Sequence, residues 1–150
     1  VAFLDADNWY SPNHIADLLA AMDDKKADFV SSGRTLCRLD GSEMGACPLT
    51  DPERFIDTNA MLFGKQAFHQ LHHWVLMPSY GHLIGDRIML NHVKRSNLKR
   101  HHLNQGSVFY RCAKEGLYHQ MGEMIPKGVQ PRPDYEASFR QWEADGQPPL

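Results

Sequence analysis

At 150 residues, 42% hydrophobic and 23% charged, the chain has enough apolar material for one domain with its own core. A formal charge of −2 excludes broad electrostatic attraction to nucleic acid or anionic lipid, because the one basic stretch, Lys94-Arg95 with Lys99-Arg100, is short and mixed with polar residues. Three cysteines form no C-x-x-C pair and, being odd in number, no disulfide framework, which points to a reducing, cytoplasmic setting; no run approaches the ~20 apolar residues that cross a bilayer, so membrane association would need segments outside this chain.

Val1 to Leu4 open the chain as an apolar run without a methionine or a polar lead-in. That is the pattern of a strand with neighbours on both sides, and it implies residues before Val1. Ser11 as N-cap and Pro12 as first helical residue predict a helix with Ile15, Leu18, Leu19 and Met22 on its apolar stripe, ending in the charged cluster Asp23 to Lys26. Asp28 to Ser32 reads as the next strand. Strand, helix and strand in so few residues predict a βαβ unit with parallel pairing.

Gly33 to Glu53 contains glycine and proline without a clear period and reads as a long surface loop. Ile56 to Phe63 resumes an extended pattern. A helix is predicted over Lys65 to His73 with Ala67, Phe68 and Leu71 inward, and another over Leu83 to Lys94 with Ile84, Ile88 and Met89 on one stripe. Ser107 to Cys112 predicts a strand and Ala113 to Met121 a short helix. From Pro126 the chain turns proline-rich and polar, the composition of a linker or arm, which divides it into a domain over 1–126 and a tail over 127–150.

The chemistry concentrates in LDADN. Carboxylates at i and i+2, where an apolar strand opens into a loop, share a face at the carboxyl edge of a parallel sheet, which is where open α/β folds bind ligands. Mg²⁺ is commonly held by one or two carboxylates plus substrate phosphates, so Asp5 and Asp7 read as a cation and diphosphate site. The plainer alternative is that Asp7 and Asn8 are turn residues bonding their own backbone.

VAFLDADNWYSPNHIADLL followed by ADFVSSGR resembles the middle of a nucleotide-sugar glycosyltransferase of the GT-A fold, family-two type. FIDTNAMLFGKQAF, then Trp74, then IGDRIMLNHV, is similar to that family's second half. The resemblance spans about Val1 to Pro126. It implies a partial GT-A fold of the α/β class, with a mixed, mostly parallel sheet flanked by helices, the earlier part of the domain and most of the nucleotide site preceding Val1. It implies a nucleotide-diphosphate sugar as donor, a saccharide or other hydroxyl as acceptor, inversion at the anomeric carbon, and Mn²⁺ or Mg²⁺ as cofactor. An isolated half-sheet leaves an open edge, so a homo-oligomer is a further expectation.

Carried over residue by residue, the resemblance implies that Asp5 lies near the ribose or cation and that Asp7 ligates the metal bridging the donor diphosphate. Asp86 matches the family's base, although the acidic pair usual there is Gly85-Asp86 here; a helix-start acid stabilised by the macrodipole is the bland alternative. Arg87 would pair with substrate or with a neighbouring carboxylate. Asp57, Thr58 and Asn59 stand where the family lines its sugar pocket. Trp74 would stack on an acceptor sugar, unless it is core. Where many relatives place a metal-binding histidine this chain has Arg111, so either Arg111 neutralises diphosphate directly or His101, His102 or His119 reaches the cation.

Two rival readings follow from the same residues. FLDADN also resembles a haloacid-dehalogenase-type phosphatase, with Asp5 as nucleophile and Asp7 as acid, but the Thr or Val expected after the second aspartate is missing and the second late acid is Asn91. The other is a non-catalytic module that docks to partner chains. The absence of a Q-x-x-R-W motif and of membrane spans favours single-sugar transfer over processive synthesis.

Overall fold

One long parallel ladder organises the molecule. In the computed structural model, which describes residues 1–150, strand β2 (Phe29–Cys37) runs beside β5 (Arg100–Arg111) from Phe29 opposite Arg100 to Cys37 opposite Arg111. The register slips where Gly33 faces Gly106. A Cβ on Gly106 would stand 2.7 Å from the Thr35 hydroxyl oxygen, so the backbones meet there only because that residue is glycine.

The remaining strands pair antiparallel. The outer edge of β2 is shared in series by β4 (Met61–Phe63) and by β3 (Glu43–Ala46), while β1 (Trp9–Tyr10) pairs with β5 at Phe109 and Val108. The result is an open, mixed five-stranded sheet flanked by helices, of the expected α/β class. Among the strands, parallel pairing is confined to the β2–β5 ladder, a smaller share than the sequence led one to expect, and outside them only the isolated bridge Lys114 with Gln130 is parallel.

The opening segment is the reason. Val1 to Leu4 forms only an isolated antiparallel bridge, Ala2 with Leu62, and Val1 and Leu4 are 46% and 49% exposed rather than enclosed. Because β4 is itself antiparallel to β2, the segment still runs parallel to β2, with β4 inserted between the two arms of the expected βαβ unit.

Helix α1 (His14–Lys25) begins later than the sequence indicates: the His14 N–H donates to the Ser11 carbonyl at 3.1 Å, so Ser11 to Asn13 make a turn instead of a side-chain cap. Its buried face is His14 and Leu18, and Leu19 is exposed. The long loop expected over Gly33 to Glu53 is instead largely the end of β2 and the β3 hairpin. Leu36 and Cys37 are fully buried there, Leu36 in a satellite core with Cys47, Cys112 and Tyr118.

A 3₁₀ turn over Lys65–Leu71 leads into α2 (His72–Val75), leaving Phe68 exposed, and a second over Ser79–Ile84 leads into α3 (Gly85–Arg95). The expected stripe Ile84, Ile88 and Met89 does enter the main core, beside Phe29, Phe63 and Val108. After β5 come α4 (Glu115–Met121) and then α5 (Tyr135–Ala144), capped by Asp134, whose carboxylate accepts from the Ala137 N–H at 2.9 Å. The tail therefore departs from the linker reading: Trp142 is 4% exposed and belongs to the main core. No helix is long and apolar enough to cross a membrane.

Candidate functional site

Three successive residues, Asp57, Thr58 and Asn59, each hold a different charged group. They form a 3₁₀ turn, Thr58–Ala60 with Asp57 as its cap, and at three residues per turn their side chains fan out in separate directions. All three are buried. Asp57 accepts from the Asn59 N–H at 2.9 Å and from Asn59 Nδ2 at 2.7 Å, which fixes the turn, and its other oxygen pairs with Arg34. The Thr58 N–H donates to Asp86 Oδ1 at 3.2 Å and the Thr58 hydroxyl donates to the same oxygen. Asn59 Nδ2 donates to Asp5 Oδ2 at 2.9 Å, and the Asp5 N–H donates back to Asn59 Oδ1 at 2.6 Å.

The acidic turn at the amino end is thus tied to this centre by Asp5, while Asp7, two residues on, is exposed. Asn8 completes the tie: buried, it donates through Nδ2 to Asp5 Oδ2 at 3.4 Å and accepts the Arg111 N–H at 2.9 Å. Asn8 is a turn residue, as its type suggests, and it also joins the turn to the end of β5. The Arg111 guanidinium lies 5.5 Å from the Trp9 ring centre.

Asp86 sits in the first turn of α3, where the helix dipole favours an anion. Burial, and after it the charge of Asp57, nevertheless raises its carboxyl to about 7, with the Thr58 hydrogen bonds pulling the other way. Its Oδ1 is occupied by Thr58; Oδ2 is left to the cavity that Asp86 lines.

That cavity has a volume of about 270 Å³. Arg34 and Tyr110 line it from the β2–β5 ladder, Phe55 from the loop before the 3₁₀ turn, Leu117 from α4, and Tyr135 and Phe139 from α5. Arg34 and Asp57, each 5% exposed, make the buried ion pair at its base. The Arg34 guanidinium also lies over the Tyr110 ring at 4.2 Å and the Phe55 ring at 5.0 Å. Burial raises the Tyr110 phenol well above its usual range.

The turn therefore brings together Asp5, Asp57, Thr58, Asn59 and Asp86. Arg87 joins the cavity wall, its guanidinium 5.3 Å from Phe55 and 5.8 Å from Phe139. Trp74 does not line the cavity: it stacks on Phe3 with ring centres 6.2 Å apart and abuts Gly85. His102 is bonded to Ser31 Oγ at 2.9 Å in the first half of β5, so its ring is engaged away from the acidic turn. His101 and His119 belong to β5 and α4 and take no part in the network. Arg34 and Tyr110 went unread in the sequence, and Asn8 was read only as a turn residue, not as the link to β5. The one cue was an arginine following the apolar strand FVSSG, which needs a carboxylate once buried.

No trio of His, Cys, Asp or Glu converges into a protein-only metal cage. Two carboxylates on an exposed turn, one anchored through Oδ2, form a donor set suited to a hard cation that takes its remaining ligands from phosphate. The chemistry of these donors is compatible with a metal shared with a phosphate ligand, and His102, bonded to Ser31, forms no cluster with them.

No curated protein and no solved structure matches the chain. A sequence model described as Glycosyl transferase family 2 matches residues 1–94, a span that contains every member of the acidic network and stops short of Tyr110 and Arg111.

Proposed function

Because the chain belongs to glycosyl transferase family 2, we propose that its site moves a sugar from a nucleotide-diphosphate donor to an acceptor hydroxyl with inversion, Asp86 serving as the base. The family assignment carries glycosyl transfer in general. The observation behind this proposal is the position of Asp86: it lines a cavity, and its Oδ1 is fixed by Thr58, a residue of the same turn that holds Asp5 through Asn59.

In this reading the acceptor hydroxyl donates to Asp86 Oδ2. As its oxygen attacks the anomeric carbon, the proton passes to the carboxylate, and the bond between that carbon and the phosphate oxygen breaks. The electron pair leaves with the diphosphate. A carboxyl poised near neutrality suits such a transfer, being ionised often enough to accept and basic enough to hold the proton. Attack opposite the leaving group inverts the anomeric centre.

Asp5 and Asp7 would hold the divalent cation that the family typically uses, which neutralises charge developing on the leaving diphosphate. Arg111, beside the turn through Asn8, adds a fixed positive charge to that end of the site. Thr58 and Asn59 act as positioning residues for Asp86 and Asp5. The three cysteines are unpaired, in keeping with a cytoplasmic enzyme.

The deciding experiment is a donor screen on the full-length protein against several nucleotide sugars, with and without Mn²⁺, repeated on Asp7→Asn and Asp86→Asn. Both variants are expected to lose turnover, with donor binding weakened mainly in Asp7→Asn. Undiminished turnover in Asp86→Asn would remove the base assignment. Release of phosphate from simple phosphomonoesters, abolished by Asp5→Asn, would instead favour the phosphatase reading.

A further inference from the structure

The charge balance around the cavity is uneven. Four cationic side chains line it, Arg34, Arg87, Lys114 and Arg132, against a single carboxylate, Asp86. Two of the four are already neutralised, Arg34 by Asp57 and Arg132 by Glu136 at 2.6 Å. The other two have no carboxylate within ion-pair reach. Arg87 donates to the Arg54 carbonyl at 3.1 Å, and Lys114 donates to the side-chain oxygen of Gln130. Both partners are neutral acceptors, and neither cancels a charge.

The arrangement also holds these cations in place. Arg87 is stacked against Phe55 and Phe139, which limits the rotamers it would otherwise lose on binding. Arg34, a third cationic side chain near them, is buried and already committed to Asp57, so it leaves the free charge to Arg87 and Lys114. At about 270 Å³ the space is small beside the ~300–1,000 Å³ of ordinary ligand sites, so it suits one terminal unit of an acceptor.

Resting on the proposed transferase reading, we infer that the acceptor unit entering this cavity carries an anionic group, a carboxylate or phosphate, read by Arg87 and Lys114 while its hydroxyl faces Asp86. An anion near Asp86 meets like-charge repulsion from that residue alone. Two uncompensated cations outweigh it, and a neutral sugar would leave both unpaired. Specificity then has a repulsive side as well as an attractive one.

Binding separates this inference from the chemistry. The full-length protein would be titrated by calorimetry with matched methyl glycosides and methyl glycuronides of the gluco, galacto and manno series and with the corresponding hexose 6-phosphates, at low and high salt. At least one charged member should bind roughly tenfold more tightly than its neutral match, as one charge-assisted hydrogen bond implies, and salt should erode the gap. The two anion types, run side by side, tell carboxylate from phosphate. Lys114→Gln and Arg87→Gln should each remove most of the preference, and Arg87→Lys should keep part of it. Equal binding of charged and neutral partners in every series overturns the inference. So does an unchanged preference in the variants accompanied by weakened nucleotide-diphosphate binding, which would assign the two cations to the donor. An enzyme that prefers anionic sugars yet consumes no nucleotide sugar would refute the transferase reading and leave the anion site standing.

Discussion

The exposed carboxylates Asp5 and Asp7 and the inner pair, buried Asp57 and half-buried Asp86, use the same side chain in opposite surroundings. In the turn, water reaches Asp7 and the anchoring is done by neutral amides, Asn8 and Asn59. Asp57 is buried and matched by Arg34, whereas Asp86, half-buried on the cavity wall, is left with a proton affinity near neutrality. Environment rather than residue type sets these carboxylates apart, and the proposed division between holding a charged ligand and handling a proton rests on that difference. Both acids of the inner pair depend on one three-residue turn, so a change at the turn reaches both ends of the site.

The comparison breaks most visibly at Asp86. Asp86→Asn is expected to lower transfer by about 10²- to 10⁴-fold with donor binding retained, read by steady-state kinetics and calorimetry. The same variant tests linkage. Its carboxyl rises from 3.8 in the unfolded chain to about 7 in the fold, so the stability it contributes is complete below the lower value and is lost as pH climbs through the upper one. Thermal melts should therefore show Asp86→Asn gaining on the parent at about pH 8 relative to about pH 5. A constant difference between the two conditions would mean that the acid is not perturbed.

Next in size is the ion pair. Arg34→Met strands Asp57 without its partner and should cost about 3–5 kcal/mol in urea denaturation, and the double change with Asp57→Leu should recover a large part of it. Additive losses would show that the pair is not coupled. Asn8→Ala removes a buried side chain that bonds both Asp5 and the Arg111 backbone, for about 1–3 kcal/mol, and should weaken donor and cation binding while sparing acceptor binding. The smallest effect is expected from Thr58→Val. Loss of the hydroxyl that favours ionised Asp86 should move the acid limb of the pH–rate profile upward by less than about one unit.

Much of this site could be read along the chain because its members announce themselves locally. Asp5, Asp7 and Asp86 each stand at the junction of an apolar run with a polar one, and α3 shows its stripe openly. Arg34 was invisible for the opposite reason: its meaning comes from Asp57, Phe55 and Tyr110, three residues supplied by distant segments. The hairpin after Gly33 was misread because burial by α4 and the cysteines, rather than alternation, makes it a strand. Composition misled at the tail, where prolines flank a helix whose Trp142 enters the main core. His102 shows the limit of residue type as a guide, since a serine on the adjacent strand is what holds it.

The last helix deserves a practical reading. Tyr135 and Phe139 line the same cavity as Asp86, while Trp142, one helical step further, is sunk in the main core with residues of α3. A substitution that shrinks Trp142 would therefore loosen α5 and, with it, the wall that Tyr135 and Phe139 give the cavity, so packing more than fifty positions from Asp86 in sequence reaches its surroundings.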